Sequence, residues 1–212
     1  VAPESKILVV IPKIRVDSQY PFSLGYSNSH LEALRYISDK AQQLSLPVAI
    51  NISQGMNAGA HDGTSLLEKG FDNCTHNGQN PGVIIVKSAG NERCYGGHAR
   101  FQMRSNSIDT VEWVSLNPHP GPDVIELWFA ACDTYSFRLR NPSGETSSWI
   151  DASLQNESGF FSTGNYYQID LAQRNQDNGD SRLLITIHSG KSVSVTQGKW
   201  MLAVESGEVK TN

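Results

Sequence analysis

The sequence predicts an α/β portion followed by an all-β portion. In the first 95 residues, β-branched apolar runs alternate with stretches of helical periodicity, which is the order of a parallel sheet with crossover helices. Beyond residue 96 the helical period disappears, and short alternating runs separated by turn sequences take its place. We therefore expect a parallel βαβαβ portion over residues 1–95 and an antiparallel jelly roll or β-sandwich over residues 96–212.

Three strands and two helices are expected in the first portion. The strands are residues 6–14 (KILVVIPKI), 47–53 (PVAINIS) and 81–87 (PGVIIVK). A capping box formed by Ser29 and Glu32 is predicted to open the first helix, whose apolar residues recur at helical spacing as far as Leu44. A second capping box, at Ser65 and Glu68, is predicted to open the other helix.

Short strands separated by turns are expected in the second portion. The runs that alternate between apolar and polar residues are 110–116, 123–129, 136–140, 160–171, 182–187 and 199–204. Turn sequences such as Asn141-Pro-Ser-Gly144 lie between them. The expected boundary between the two portions lies near Arg93–Gly97, where the pair Gly96-Gly97 provides a flexible break.

Charge and hydropathy exclude several classes of partner. The chain has 17 basic and 21 acidic residues and no run of Lys or Arg, so we expect neither nucleic acid nor an anionic membrane surface as a partner. No apolar stretch approaches the ~18 residues that a membrane span needs. The first residues carry no initiator methionine and no signal-peptide pattern, and we expect them to follow a cut inside a longer chain.

The most informative segment is the third predicted strand and the four residues after it, Ser88-Ala-Gly-Asn91. A buried parallel strand delivers side chains to the carboxyl edge of its sheet, where binding and catalytic groups collect. An asparagine held there can donate its amide N–H to an oxyanion. The alternative is that Asn91 only ends a strand in an ordinary turn.

Three motifs in this part of the chain resemble those of the subtilisin-like serine proteases, the subtilases. They are Val1-Ala-Pro-Glu-Ser-Lys-Ile-Leu-Val-Val10, Val48-Ala-Ile-Asn-Ile-Ser-Gln-Gly55 and the strand that ends in Ala-Gly-Asn-Glu92, and they occur in the family's order. A narrower resemblance, to the clostridial spore-germination subtilases, is carried by His61–Glu68 and by segments 126–128 and 137–145, which resemble strands of a jelly-roll insert.

The resemblance implies a role for each segment. Residues 1–95 would be the central part of a subtilisin-like peptidase domain and residues 96–212 its jelly-roll insert. Asn91 would be the oxyanion-hole donor. The backbone of Ser53, Gln54 and Gly55 would align an extended peptide or protein substrate, and Ser88, Ala89 and Gly90 would form a wall of the primary specificity pocket.

The segment His61-Asp-Gly-Thr-Ser65 contains a histidine, an aspartate and a serine but does not predict a catalytic triad. Neighbouring residues cannot converge as base and nucleophile do through a fold. We interpret Asp62 to Ser65 as the start of a helix.

The triad motifs of the family are missing from this sequence. It has no Asp-Thr/Ser-Gly on a strand, no His-Gly-Thr at a helix start and no Gly-Thr-Ser-Met-Ala. We therefore expect a fragment of a subtilisin-like serine endopeptidase that is inactive by itself, from a secreted, cell-envelope or spore-associated parent.

An alternative from another class is an interaction or stabilising module of a pseudoprotease, which binds carbohydrate, a propeptide or a partner protein. Its aromatic residues would then either form a ligand platform or fill the sandwich core. The candidates are Trp113, Trp128, Trp149, Tyr166 and Tyr167.

No cofactor or metal is expected. The turn Asp177-Asn-Gly-Asp180 offers oxygen donors of the kind that calcium binds but lacks the full loop pattern, so a turn is the preferred interpretation. An incompletely covered parallel sheet predicts exposed apolar surface and self-association through an open sheet edge.

Overall fold

The computed structural model describes residues 3–11, 25–55, 57–91, 94–116 and 121–211. The chain divides into two compact units, Val1–His98 and Ala99–Asn212. The assignment of the two units to a peptidase portion and an insert stays a prediction. No helix in the described ranges combines the length and the apolar character needed to cross a membrane.

The first unit is a small α/β structure. Its elements are α1 (Gly25–Leu44), β1 (Val48–Ile52), α2 (Leu66–Thr75) and β2 (Val83–Lys87). The two strands pair in parallel, with Val48 opposite Val83 and Ile52 opposite Lys87. Alternate residues of each strand share one face of the sheet, and on one such face Ile50 is 4% exposed.

Among the described residues, nothing covers the other face of this parallel pair. Ile84 and Val86 of β2 point to it, and their exposed fractions are 61% and 54%. Parallel strands are normally covered on both faces, so this pair has apolar surface in water.

No strand forms in the described part of the predicted first strand. Residues 6–11 carry no strand structure, and residues 12–14 lie outside the described part of the chain. The run is apolar enough for a strand, but a strand also needs a neighbour to satisfy its N–H and C=O groups. Ile7 and Ile11 are instead 86% and 88% exposed. The described residues therefore form a two-stranded parallel sheet rather than the predicted βαβαβ arrangement.

The two capping predictions had different outcomes. Helix α1 begins at Gly25, so Ser29 lies inside the helix and the predicted start was wrong by one turn. The start of α2 is confirmed: the Glu68 N–H donates to Ser65 Oγ (3.3 Å), and the Ser65 N–H donates to the Glu68 carboxylate (3.1 Å). These reciprocal bonds satisfy two N–H groups that the first turn leaves without a helical acceptor.

The second unit consists of two antiparallel sheets. Its strands are β3 (Ile108–Ser115), β4 (Asp123–Phe129), β5 (Tyr135–Arg140), β6 (Asn156–Phe160), β7 (Tyr166–Ala172), β8 (Ser181–His188) and β9 (Gly198–Ser206). One sheet has the order β3-β9-β5 and the other the order β4-β8-β7-β6. Every predicted run of this portion contains a strand. The run 160–171 was predicted as one strand but is divided between β6 and β7, because Gly164 adopts φ 89° in the turn that separates them.

The core of the second unit lies on the inner faces of both sheets. Buried and half-buried residues alternate along β7 and β8, as period-2 strands with one covered face require. Among the described residues, the largest fully buried side chain is that of Trp200, whose indole N–H donates to the Thr196 carbonyl oxygen (2.9 Å). The Phe161 ring packs edge-on against it, with centroids 5.8 Å apart.

A buried asparagine fixes the loop between β8 and β9. Asn165 is 0% exposed, and its Nδ2 donates to the carbonyl oxygens of His188 (3.4 Å), Ser189 (3.2 Å) and Ser194 (2.9 Å). Its Oδ1 accepts from the Thr196 N–H at 3.0 Å. One side chain thus replaces the ladder hydrogen bonds that an irregular loop cannot make.

The last described residues are held by a buried carboxylate. Asp133 is 6% exposed and accepts from the N–H groups of Lys210 (2.7 Å) and Thr211 (3.1 Å) and from the Thr211 hydroxyl. Burial by itself raises the pKa of Asp133, but these hydrogen bonds outweigh it and the pKa is lowered.

Candidate functional site

The two predicted site segments leave the same edge of the parallel sheet. Ile52 and Lys87 are opposite each other at the ends of β1 and β2. The Ser88 N–H donates to the Ile52 carbonyl oxygen (3.0 Å), which extends the pairing by one bond beyond β2. Residues 53–55 and 88–91 therefore start side by side at the carboxyl edge, as expected for parallel strands.

The residues at this edge are open to solvent. Ser53, Gln54 and Gly55 are exposed, and so are the four residues from Ser88 to Asn91. Gly90 has φ 85°, a conformation that L side chains rarely adopt, and it turns the chain immediately before Asn91. The Ser53 hydroxyl accepts from Asn51 Nδ2 (3.0 Å), which holds the start of its segment. The roles predicted for these residues stay predictions.

A lysine that sequence reasoning missed lies between the two segments. Lys87 Nζ donates to the Ser88 carbonyl oxygen (3.2 Å), and a Cβ added to Gly55 would lie 2.4 Å from the same nitrogen. Glycine at position 55 therefore leaves the space that the lysine side chain occupies. The sequence did contain a signal for this lysine, because Lys87 is the only charged residue of the apolar strand β2 and stands at its last position.

The neighbouring segment His61–Ser65 leads into α2, and its polar side chains make the hydrogen bonds that begin this helix. The Asp62 carboxylate accepts from the Thr64 hydroxyl (2.5 Å) and the Thr64 N–H (2.9 Å), and the hydroxyl contact is the largest reason that the pKa of Asp62 is lowered. The Ser65 hydroxyl donates to the Glu68 carboxylate at 2.7 Å. This serine works as a helix cap, as interpreted from the sequence, and its hydroxyl is bonded to an acid rather than to a histidine base.

No candidate metal centre is found in the described ranges. They contain no group of three or more His, Cys, Asp or Glu side chains close enough to share an ion. In the turn that suggested calcium, Asn175 Oδ1 accepts from the Asp177 N–H (2.9 Å) and the Asn175 N–H donates to the Asp180 carbonyl oxygen (2.6 Å).

The aromatic residues proposed as one platform are dispersed over the second unit. Tyr167 is 7% exposed and faces the core, where burial and then its bond to Glu157 (2.8 Å) raise its pKa. Trp113 stacks with Trp200 at 6.4 Å between centroids, while Trp149 contacts the Arg138 guanidinium at 4.6 Å. Of the two alternatives, these contacts favour packing within the sandwich over a single ligand platform for Tyr167 and Trp113.

Comparison with known proteins gives a relation at the level of fold. No protein-family profile and no curated protein sequence matches the chain. Among solved structures, the chain is similar to the CspB protease of Clostridium perfringens, with a TM-score of 0.71 and 22% sequence identity. The match covers 85% of this chain and 36% of the protease chain, so the chain spans about a third of that protein's length. Its small parallel sheet and antiparallel sheets are thus a mixed α/β fold shared with part of that protease.

Proposed function

We propose that the chain is the part of a subtilisin-like serine endopeptidase that carries the oxyanion-hole asparagine, Asn91, and the substrate-aligning residues Ser53–Gly55. The observation that carries this proposal is the register of β1 and β2, which starts both segments side by side at one carboxyl edge. The fold shared with part of a protease supports the same reading. The sandwich of the second unit would be the jelly-roll insert.

The chemistry assigned to the edge is positioning and charge stabilisation. A peptide lying along residues 53–55 would hydrogen-bond to their exposed N–H and C=O groups in the manner of an added strand. Attack on its carbonyl carbon places negative charge on the oxygen, and the Asn91 amide would donate to that oxygen. The small residues Ser88, Ala89 and Gly90 would leave room for the side chain next to the cleaved bond.

Proton transfer is not assigned to any residue of this chain. The Ser65 hydroxyl is held by Glu68, and the sequence has none of the family's triad motifs. The proposal therefore requires a nucleophile, a base and an orienting acid from parts of a parent protein beyond these 212 residues. A peptide or protein is the proposed substrate. Self-association through an open edge of the two-stranded sheet is a second proposed contact, and the exposed apolar side chains of Ile84 and Val86 support it.

The decisive experiment compares Asn91→Ala with Asn57→Ala, an exposed asparagine of the same unit, in the full-length parent. We expect the first change to lower kcat by roughly 10²–10³, the loss known for a subtilisin oxyanion asparagine, with KM little changed. The control should leave both constants unchanged. Equal turnover in the two variants would remove the role of Asn91.

The 212-residue chain provides a second test of the same proposal. We expect no peptide hydrolysis and no labelling by a fluorophosphonate probe, which reacts with activated serines. Stoichiometric labelling of Ser65 would contradict both the assignment of that serine as a helix cap and the absence of a nucleophile.

A further inference from the structure

The outward face of the four-stranded sheet carries a continuous row of rings. Cross-strand register places Phe160 of β6 opposite Tyr166 of β7, and Tyr166 opposite His188 of β8. The ring centroids are 5.1 Å and 6.2 Å apart. The adjacent residues Tyr167 and Ile187 are buried in the core, so these three rings, called the ring row, lie on the opposite, outward face of the sheet. There Phe160 is 53% exposed, and Tyr166 and His188 are half-buried.

The next row on the same face consists of small neutral polar groups. Two residues along each strand, Ser158, Gln168 and Thr186 are opposite one another in the same register. Two residues along a strand correspond to about 6.6 Å, so this second row runs parallel to the rings at a distance that one ligand can span. The face thus combines apolar ring surfaces with hydroxyl and amide groups.

The charges on this face are balanced. Arg182 contacts the Glu126 carboxylate at 3.6 Å, and its guanidinium lies 5.9 Å from the Trp128 ring centre. Lys191 Nζ lies 4.7 Å from the centre of the Phe160 ring, while Gln168 Nε2 donates to Asp170 (2.9 Å). The two acids, Glu126 and Asp170, offset the two cations, so charge complementarity favours a neutral polar occupant over a polyanion or a polycation.

We propose that this face binds a polysaccharide made of uncharged pyranose units. A pyranose ring has C–H groups on its faces and hydroxyl groups around its rim. Its faces would stack on the ring row, one sugar near each strand, and its hydroxyls would bond to the row of Ser158, Gln168 and Thr186.

An extended peptide is a poorer fit for the same surface. Peptides that bind sheets as added strands use the free N–H and C=O groups of an edge. Of the three strands under the ring row, β7 and β8 have paired neighbours on both sides, so their backbone groups are already used. A peptide added to β6, the edge strand, would lie beside the ring row and not over it. This inference concerns the second unit and does not depend on the proposed peptidase role.

The test measures retention of the whole 212-residue chain on insoluble cellulose, chitin and mannan. We expect saturable binding to at least one of them, changed little between low and high salt because the ligand is neutral. The double variant Phe160→Ala/Tyr166→Ala should bind at least about tenfold more weakly, since it removes two stacking rings. Phe160 is 53% exposed, so the fold should survive, and circular dichroism checks this.

Tyr95→Ala is the matched control, because Tyr95 is 81% exposed and belongs to the first unit. It should bind like the unaltered chain. Absence of binding to all three polysaccharides, equal binding by the folded double variant, or an equal loss in the control would each overturn the proposal. So would competition by unstructured peptide at the same site.

Discussion

The side chain of Asn165 is expected to be one of the strongest single contributors to the stability of the second unit. Replacement by alanine removes an amide that donates to three loop carbonyls and accepts from the Thr196 N–H. Because Asn165 is 0% exposed, water does not reach the groups that would lose these bonds without a rearrangement of the loop.

The magnitude follows from the bonds lost. The amide has two hydrogens to donate, and its oxygen accepts from the N–H and from the hydroxyl of Thr196, so about four hydrogen bonds disappear. At about 1 kcal/mol for each bond, and more for each group left buried and unpaired, Asn165→Ala should lower the free energy of unfolding by about 3–5 kcal/mol. That is a large part of the ~5–15 kcal/mol by which folded proteins are stable.

The assay is urea unfolding followed by tryptophan fluorescence, since Trp200 bonds to Thr196 in the same loop. The matched control is Asn175→Ala, a half-exposed turn asparagine whose Oδ1 accepts one backbone N–H, with an expected loss below about 1 kcal/mol. If the two variants lose the same free energy, the argument from the buried amide is refuted.

Two further predictions concern Asp133 and Val86. Because hydrogen bonds lower the pKa of Asp133 in the folded chain, its contribution to stability is present above the ordinary carboxyl pKa and is lost as the pH falls through the lowered folded pKa. Asp133→Asn should therefore cost about 2 kcal/mol at neutral pH, and the difference in Tm from the unaltered chain should shrink as the pH falls below about 4. A difference that does not change with pH would contradict this. Val86→Lys places a charge on the open face of β2 and should reduce self-association measured by light scattering at rising concentration. An unaltered chain that stays monomeric would contradict the proposed contact.

The alternation of apolar and polar residues was sufficient to predict a strand where one face of that strand is covered. The run 182–187 alternates because every second residue of β8 enters the core, and the structure confirms a strand there. The turn between β6 and β7 was missed because aromatic residues flank it on both sides, although its sequence, Ser162-Thr-Gly-Asn165, is typical of a turn. The prediction of a strand that includes residues 6–11 was wrong for a different reason. Apolar composition cannot supply the hydrogen-bonding neighbour that a strand requires.

The arrangement of the candidate-site residues could likewise be predicted from the sequence only in part. The proximity of Ser53 and Ser88 could be predicted because parallel strands end at one edge. The position of Lys87 over Gly55 depends on a side-chain rotamer and could not be predicted from spacing. The ring row was missed because Phe160, Tyr166 and His188 meet only through cross-strand register, which separates two of them by 22 residues of sequence.

The open face of the parallel pair has a consequence for how the candidate site would respond to a ligand. Two strands of five residues, covered on one side only, should open locally at a small free-energy cost, so their amide hydrogens should exchange with deuterium early. Amides of β8 and β9, each flanked by strands on both sides, should exchange late. A peptide bound along Ser53–Gly55 would stabilise the closed form of the two strands by mass action. Its binding would therefore be measured as slower deuterium uptake in β1, before any bond is cleaved.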